Sequence, residues 1–312
     1  MFEESYRTLF LSSPAKLSHQ NNNLCLKIQD RDLIQIPLKD IANIIIDTPQ
    51  ISLSSSLLSI FTKYKILLFI CDDSHLPSGI FTPFLSHYKS SQIIQHQINL
   101  SQQSKAIIWQ KIIKAKIKNQ ANLLKLENKD KIAHKLEILQ KNVKLSDSTN
   151  NEAKASALYF PALFYKSFSR KDFCIINSAL NYGYAILRGV IARNLVASGL
   201  LPSLGIFHSN QFNPFNLADD IIEPYRVFVD AKVINFNFSH QILKPQDKAE
   251  LVNILYTQVS LDSKNFPLHR AITRSIWSIA NAICNKNTNK LSLPLLNEES
   301  NGRKIYENLS DV

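Results

Sequence analysis

The stretch Trp109-Gln-Lys-Ile-Ile-Lys-Ala-Lys-Ile-Lys-Asn-Gln-Ala-Asn-Leu-Leu124 decides the fold class, because its apolar side chains recur every three or four residues. Trp109, Ile113, Ile117, Ala121 and Leu124 would share one face of a helix. This spacing extends from about residue 101 to residue 145. Further helices are predicted at about 152–168, 174–199, 216–230, 248–260 and 267–285.

The residues before this stretch favour β-strands. Short apolar or β-branched runs lie between clusters of Ser, Asn, Asp and Pro. Strands are predicted at 9–11, 24–28, 33–36, 41–46 and 66–71, with one short helix at 54–63. Asn21-Asn22-Asn23 predicts a turn and residues 72–79 a loop.

The predicted fold class is therefore α+β with two domains. A small β-rich, sandwich-like domain would cover residues 1–95, followed by a linker at 96–100. A larger all-α domain would cover 101–295, and 296–312 would be a polar tail. The predicted helices do not alternate with strands, so a doubly wound sheet is disfavoured.

Charge is distributed unevenly along the chain. The net charge is +11, yet residues 1–95 carry eight basic and eight acidic side chains, so the whole excess lies after them. A polyanion such as DNA would therefore meet the second domain. The alternative is a solvated lysine surface that reflects an AT-rich coding bias, which the many Asn, Ile and Lys residues also suggest.

Composition also bears on location. No apolar run approaches the roughly 20 residues that span a bilayer, so no membrane association is expected. The acids Glu3 and Glu4 do not fit a secretory signal. Four cysteines without CxxC spacing fit a reducing cytoplasm.

Several familiar catalytic motifs are absent from the sequence. None of the six glycines forms a P-loop or a GxGxxG phosphate cradle, and no His precedes Asp. HExxH and GxSxG are also absent. A metal site built from dispersed residues, or no catalytic site at all, is what remains.

Glu152, His208 and Glu223 are the candidate metal ligands. Asp220 and Glu223 would share a helix face, and Pro224 should kink that helix. Two carboxylates and an imidazole suit Mg²⁺ or Mn²⁺ chemistry on a phosphodiester, provided that they converge. Taken singly, however, such residues are usually helix caps or solvated faces.

Three longer motifs resemble a known family. Asn181-Tyr-Gly-Tyr-Ala-Ile-Leu-Arg188, Ala197-Ser-Gly-Leu-Leu-Pro-Ser-Leu-Gly-Ile-Phe-His208 and Phe215-Asn-Leu-Ala-Asp-Asp-Ile-Ile-Glu-Pro-Tyr-Arg226 resemble the CRISPR-associated endonuclease/integrase family, CRISPR-associated protein one. Ile36 to Ile41, Cys71 to Gly79 and Trp109 to Gln120 add to the likeness and point to the branch found in type II systems. Where family members often read Glu-Pro-Phe-Arg-Pro, this chain has Tyr225 and Val227.

The resemblance implies the site and the activity. It places Glu152, His208 and Glu223 at metal-ligand and catalytic positions, with Asp220 as a further candidate ligand and Mg²⁺ or Mn²⁺ as the cofactor. The implied reaction is attack by the 3′-hydroxyl of a short DNA duplex, the prespacer, on a phosphodiester at the leader end of a repeat array. His208 could be a ligand, a general acid or both.

The resemblance also implies an assembly. The β-rich domain would mediate a homodimer, and a small ferredoxin-fold partner would bridge two dimers into a heterohexamer. The type II effector nuclease is a further candidate partner. Double-stranded DNA would contact basic and aromatic candidates on the helical domain. These candidates are Arg188, Arg193, Arg226, Tyr182, Lys111, Lys114 and Lys118.

Other readings of the sequence stay open. One is a metal-dependent nuclease that acts on branched DNA in repair, and another is a non-catalytic basic DNA-binding protein. A structural interaction module is a third. The arginines could instead form ion pairs, and at least one of Tyr182 and Tyr184 could pack in the core.

Overall fold

The computed structural model describes residues 7–73, 75–84, 87–238, 240–285, 287–288 and 290–297. The chain divides into two compact units, Met1–Tyr88 and Lys89–Val312. Most of the predicted polar tail, from residue 298 onward, lies outside the described residues.

The described residues of the first unit form two four-stranded sheets and one α-helix. Its strands are β1 (Arg7–Leu11), β2 (Ala15–Gln20), β3 (Asn23–Ile28), β4 (Ile34–Pro37), β5 (Ile41–Ile46), β6 (Ile51–Ser52), β7 (Leu67–Cys71) and β8 (Pro77–Phe81). One sheet has the order β1-β5-β7-β8, and the other β4-β3-β2-β6. Helix α1 (Ser55–Tyr64) begins at Ser54, whose hydroxyl accepts a hydrogen bond from the Leu57 amide.

Burial explains why the strands of the first sheet are so apolar. All six residues of β5 are buried, and this strand lies between two parallel neighbours. Leu24, Leu38, Ile41, Ile44 and Phe61 are among the core residues. The predicted strands and α1 are confirmed, and Asn21 and Asn22 have the positive φ angles of the predicted turn. Strands β2 and β6 were not predicted, and β8 replaces part of the predicted loop at 72–79.

The second unit is mostly helical. Its helices are α2 (Ser90–Ile98), α3 (Gln102–Leu126), α4 (Asp130–Lys141), α5 (Asn151–Leu163), α6 (Ile175–Ala197), α7 (Asn216–Ile222), α8 (Arg226–Val233), α9 (Pro245–Val252) and α10 (Leu268–Asn285). The five apolar residues that define the α3 periodicity are all buried, as their spacing predicts. The two-domain α+β fold class is confirmed.

Details of the second unit differ from the prediction. The helical stretch 101–145 is broken at Asn128, whose φ is 57°. Residues 258–260, predicted as helix, belong to a hairpin of β9 (Gln258–Leu261) and β10 (Lys264–Pro267), so this unit is not all-α. Its turn uses the left-handed residues Asp262 and Ser263. The predicted linker at 96–100 overlaps the end of α2.

Within the described residues, no helix is long and apolar enough to cross a membrane.

Candidate active site

Glu152 lies in the first turn of α5, at a helix start that Asp147 organises. The Asp147 carboxylate accepts hydrogen bonds from the backbone amides of Asn151 at 2.9 Å and Glu152 at 2.8 Å. These bonds satisfy donors that a helix start leaves without an intrahelical partner. The backbone of Glu152 is thereby fixed, while its side chain is 27% exposed.

Glu223 lies at the bend between α7 and α8. Residues Glu223–Tyr225 form a 3-10 turn around Pro224, as the proline predicts. The Glu223 carboxylate is buried, and Arg226 Nε donates a hydrogen bond to its Oε1 at 2.9 Å. Burial opposes its charge, but the positive charges of Arg226 and Lys116 outweigh burial and lower the pKa of Glu223 to about 2. Glu223 is therefore ionised at neutral pH.

Lys116, in the middle of α3, joins the two glutamates. Its Nζ lies 2.6 Å from Oε1 of Glu152 and 2.5 Å from Oε2 of Glu223. The lysine side chain is only 10% exposed. Burial lowers its pKa, but the charges of Glu223 and Glu152 outweigh burial, so that the pKa of Lys116 is raised. Two carboxylates from different helices thus share one cation.

Asp220 holds His208 in place. Its Oδ2 accepts hydrogen bonds from the amides of Ile206 at 2.5 Å and Phe207 at 3.1 Å. Its Oδ1 accepts one from the His208 amide at 3.0 Å and contacts His208 Nδ1 at 2.7 Å. The hydrogen bond with Asp220 raises the pKa of His208. Each Asp220 carboxylate oxygen therefore has two polar contacts with the 206–208 turn. This arrangement favours a role in positioning His208 over one in metal binding.

Gly205 makes this turn possible. A Cβ at Gly205 would lie 2.1 Å from the His208 carbonyl oxygen and 3.0 Å from Asp220 Oδ2. No side chain fits there without moving backbone. The glycine therefore allows the chain to fold back so that His208 meets Asp220.

An aromatic wall flanks His208. Trp109 of α3 stacks on Phe207, with ring centroids 4.3 Å apart and planes 1° from parallel. The His208 ring stands edge-on to both. Trp109 is buried, whereas Phe207 is half exposed. The imidazole is thus held by packing on one side and by a carboxylate on the other.

A cavity of about 300 Å³ opens beside Glu223. Lys116 and Glu223 contribute to its wall, and the other lining residues are Gln120, Phe160, Arg170, Tyr184, Arg226, Val227 and Asp230. Its cationic side chains and aromatic rings suit an anionic ligand that carries a flat group.

Asp230 lies buried at the wall of this cavity. It accepts hydrogen bonds from the hydroxyls of Tyr159, at 2.8 Å, and Tyr184. Burial raises the pKa of Asp230 to about 6, although the two tyrosine hydrogen bonds act in the opposite direction.

The candidate DNA-binding residues are divided between surface and core. Tyr182 is fully buried, beneath the ammonium of Lys248, so that its ring cannot stack on DNA in this conformation. Arg193 is also buried, and burial lowers its pKa to about 10. Arg188 is 39% exposed beside Asp219 and reaches over the Phe215 ring.

The other basic candidates have partners within the protein. Arg226 pairs with Glu223 and covers the Tyr184 ring. Lys111 donates to the carbonyl of Thr288, and Lys118 pairs with Glu137. Lys114 is partly exposed. Two of the three candidate lysines on α3, Lys111 and Lys118, therefore have partners within the unit.

The candidate ligands form two pairs in this structure. Glu152 and Glu223 meet at Lys116, and His208 pairs with Asp220. Among the residues that the structure describes, no three His, Cys, Asp or Glu side chains are close enough together to hold a metal ion. The chemistry of the donors nonetheless fits Mg²⁺ or Mn²⁺, because two carboxylates already converge on one positive charge.

A family model described as CRISPR associated protein Cas1 matches residues 9–263. The chain belongs to the Cas1 family. A protein described as CRISPR-associated endonuclease Cas1 from Neisseria meningitidis serogroup C (strain 8013) is 37% identical over 293 residues, which cover 93% of this chain and 96% of that protein. A relative from Francisella tularensis subsp. novicida (strain U112) is 27% identical, covering 85% of this chain and 91% of its own length. The Neisseria match is consistent with the predicted type II-like branch.

Solved Cas1-like structures share the fold. A casposase bound to an integration product has a TM-score of 0.75 at 20% identity and covers 92% of both chains. A Cas1 protein from Thermotoga maritima has a TM-score of 0.70 at 18% identity, covering 89% of this chain and 97% of its own. A Cas6-RT-Cas1–Cas2 complex has a TM-score of 0.71 at 20% identity and covers 93% of this chain and 36% of that one.

Sequence reasoning missed Lys116 and Asp147. Lys116 lies three residues after Ile113 and four before Gln120, on the buried side of α3, where a charged residue requires a partner. That position was a signal for a buried ion pair. Asp147 could have been recognised as an acid just before a helix start.

Proposed function

We propose that this Cas1-family chain is a metal-dependent DNA endonuclease and integrase that joins prespacers into a CRISPR repeat array. The observation that carries the proposal is the convergence of Glu152 and Glu223 on one cation, beside a cavity with cationic walls. The Neisseria relative is described as an endonuclease, and the casposase structure contains an integration product. Both descriptions support this class of chemistry.

Glu152, Glu223 and His208 would hold Mg²⁺ or Mn²⁺. When bound, such an ion polarises a scissile phosphate and lowers the pKa of an attacking hydroxyl. Since His208 Nδ1 already contacts Asp220, Nε2 is the ring atom available to a ligand or to a leaving oxygen. Asp220 is a positioning residue that fixes the orientation of the ring.

Arg226 and Arg170 would receive the DNA backbone. Both line the cavity next to Glu223, and guanidinium groups bind phosphate oxygens in a fixed, often bidentate geometry. The attacking and the scissile phosphodiester strands are both anionic, so these cations would position them against the glutamates. Water in place of a 3′-hydroxyl would give endonuclease cleavage by the same groups.

The assembly is part of the proposal. The β-rich unit would form a homodimer, and a small ferredoxin-fold partner would bridge two dimers into a heterohexamer. Similarity to chains of a Cas1–Cas2 complex supports a partner of that kind. The type II effector nuclease is a further proposed partner, and the cytoplasm is the proposed location.

The proposal is tested by joining a labelled prespacer to a plasmid that carries a leader and repeat. Wild-type protein with Mn²⁺ or Mg²⁺ should give joined product, and chelation should abolish it. Glu152→Ala, Glu223→Ala and His208→Ala should each lower the joining rate by at least about 100-fold while the fold, checked by circular dichroism, is retained. Near wild-type joining by any of them would overturn the site assignment.

Two controls separate the alternatives. Preference for a four-way junction over the repeat would favour a nuclease of branched DNA in repair. DNA binding without any cleavage or joining would favour a non-catalytic binding protein.

Salt tests the contribution of charge to DNA binding. Affinity for DNA should fall steeply between 50 and 200 mM salt, by a factor of roughly 10³ if about six phosphates are contacted.

A further inference from the structure

Lys116 occupies an unusual position, between the two glutamates to which we assign a metal ion. Its ammonium group contacts Oε1 of Glu152 at 2.6 Å and Oε2 of Glu223 at 2.5 Å. The three side chains come from α3, α5 and the bend after α7. Lys116 is therefore a central contact among these three segments.

Electrostatics require a cation at this point. Glu223 is buried and ionised, and a second carboxylate at such short range would repel it strongly in a medium of low dielectric constant. Arg226 contacts Glu223 at Oε1. Among the described residues, Oε2 of Glu223 and the Glu152 carboxylate form their ion pairs with Lys116.

A protonated lysine cannot itself ligate a metal. Its ammonium has three donors and no acceptor, so it takes the place of a metal ion instead of binding one. The ammonium and a divalent ion would be attracted to the same two oxygens. Only one of them can occupy that position, because both are cations.

The cavity beside Glu223 provides a place for the displaced ammonium. Lys116 lines this cavity of about 300 Å³ together with Gln120 and Tyr184. A lysine side chain has four rotatable bonds, so its ammonium can turn from the glutamates toward the cavity while α3 stays in place. There it would face an anionic ligand.

We propose that Lys116 is a built-in counter-cation that holds Glu152 and Glu223 together in the metal-free protein and leaves when a divalent ion binds. This inference rests on the proposed metal-dependent function. Lys116 is a positioning residue, because in the metal-free protein it acts on the two carboxylates to which we assign the metal. It keeps the carboxylates in place for the metal, and it lowers the metal affinity because it must first be displaced.

Lys116→Met tests this proposal, since methionine is similar in length and carries no charge. In metal-free protein treated with a chelator, the variant should melt roughly 5–15 °C below wild type, because the buried Glu223 charge and the partly exposed Glu152 charge lose the cation between them. Saturating Mn²⁺ should remove most of that difference. Isothermal titration with Mn²⁺ alone should show at least about tenfold tighter binding by the variant.

Two further variants serve as controls. Lys125→Met removes an ion pair of the same helix, with Glu137 at 2.7 Å, and should change neither the metal-free melting temperature by more than about 2 °C nor the Mn²⁺ affinity. Lys116→Arg retains the positive charge and should bind Mn²⁺ as weakly as wild type does. If Lys116→Met does not fold without metal, Lys116→Gln takes its place as the neutral variant. Tighter Mn²⁺ binding by Lys116→Gln than by wild type and Lys116→Arg supports the inference, and equal binding overturns it.

The outcomes distinguish this inference from the proposed function. Equal or weaker Mn²⁺ binding by folded Lys116→Met overturns the counter-cation role, while metal-dependent joining by wild type would still support the proposed function. Absence of Mn²⁺ binding by wild type overturns both. Tighter binding with a loss of metal-free stability supports the inference.

Discussion

The carboxylate of Asp220 holds His208 by both its backbone and its ring. Oδ1 of Asp220 lies 3.0 Å from the His208 amide nitrogen and 2.7 Å from Nδ1 of the imidazole. The other oxygen accepts the amides of Ile206 and Phe207. One buried side chain therefore sets the path of the turn and the orientation of the candidate ligand that the turn carries.

Asp220→Asn should disrupt this turn. An asparagine keeps one acceptor oxygen and turns an NH₂ group toward backbone donors, so buried amides lose their acceptor at about 1–3 kcal/mol each. Joining should fall about 10–100-fold, as it does when a ligand loses its orienting partner. Urea unfolding and the joining assay measure the two effects. Asp219→Asn, at the adjacent position in α7, is the control, and an equal loss there would contradict the assignment.

Gly205→Ala should displace His208. The new Cβ would meet the His208 carbonyl oxygen at 2.1 Å, and backbone must move to relieve that contact. We expect a loss of roughly 1–3 kcal/mol in the free energy of unfolding, and a fall in joining rate beyond what stability explains. Gly79→Ala is the control, because its Cβ would meet Ile70 at an ordinary 3.5 Å. Normal joining by folded Gly205→Ala would show that the turn at Gly205 does not determine the position of His208.

Asp230 should make stability depend on pH. Burial raises its pKa from 3.8 to about 6, so the folded protein binds this proton more tightly than the unfolded chain does. The free energy of unfolding contributed by Asp230 therefore falls as pH rises from about 4 to about 6. Asp230→Asn lacks this charge, so relative to wild type its stability should rise by up to about 3 kcal/mol between pH 4 and pH 7.

Urea unfolding of both proteins at several pH values measures this difference. Asp262→Asn, at an exposed turn residue, is the matched control and should follow wild type across the range. A constant difference between wild type and Asp230→Asn from pH 4 to pH 7 would mean that the raised pKa is wrong.

Asn119 connects residues 294–296 to the bend that carries Glu223. Its amide nitrogen donates to the carbonyls of Pro224 at 2.9 Å and Pro294 at 3.0 Å, and its oxygen accepts the Leu296 amide. Asn119→Asp replaces both donors by an acceptor and should cost roughly 2–5 kcal/mol. Joining should fall as well, because Pro224 follows Glu223.

Thermal unfolding together with the joining assay tests the role of Asn119. Asn122→Asp is a milder control, since Asn122 donates one bond, to Leu296, from a partly buried position. A larger loss of stability and joining in Asn122→Asp than in Asn119→Asp would contradict this role of Asn119.

Periodicity predicted most elements of the fold because it reports burial directly. The α3 stripe and the fully buried strand β5 are examples, and the bend at Pro224 follows from its missing amide hydrogen. The β9–β10 hairpin was missed although Val259 and Leu261 alternate with more exposed neighbours, a strand pattern read there as helical. The break at Asn128 depends on one left-handed residue, which periodicity does not show.

The candidate site could be predicted only in part. The family resemblance supplied Glu152, His208 and Glu223, whereas their actual partners are set by tertiary packing. Lys111 and Lys118 were expected to contact DNA, yet both have partners within the unit, and Lys116 had no assigned role. Which of two acids, Asp220 or Glu223, would face His208 depends on the turn at Gly205, which a sequence pattern does not contain.

We assign to Glu152 and Glu223 the cation site used for DNA joining. The most direct measurement is Mn²⁺ binding, by isothermal titration or electron paramagnetic resonance, to wild type and to Glu152→Gln/Glu223→Gln. These isosteric changes keep the shape of the site and remove its two negative charges. We expect wild type to bind Mn²⁺ and the double variant to lose this binding together with joining. Unchanged Mn²⁺ affinity in the folded double variant would contradict this assignment.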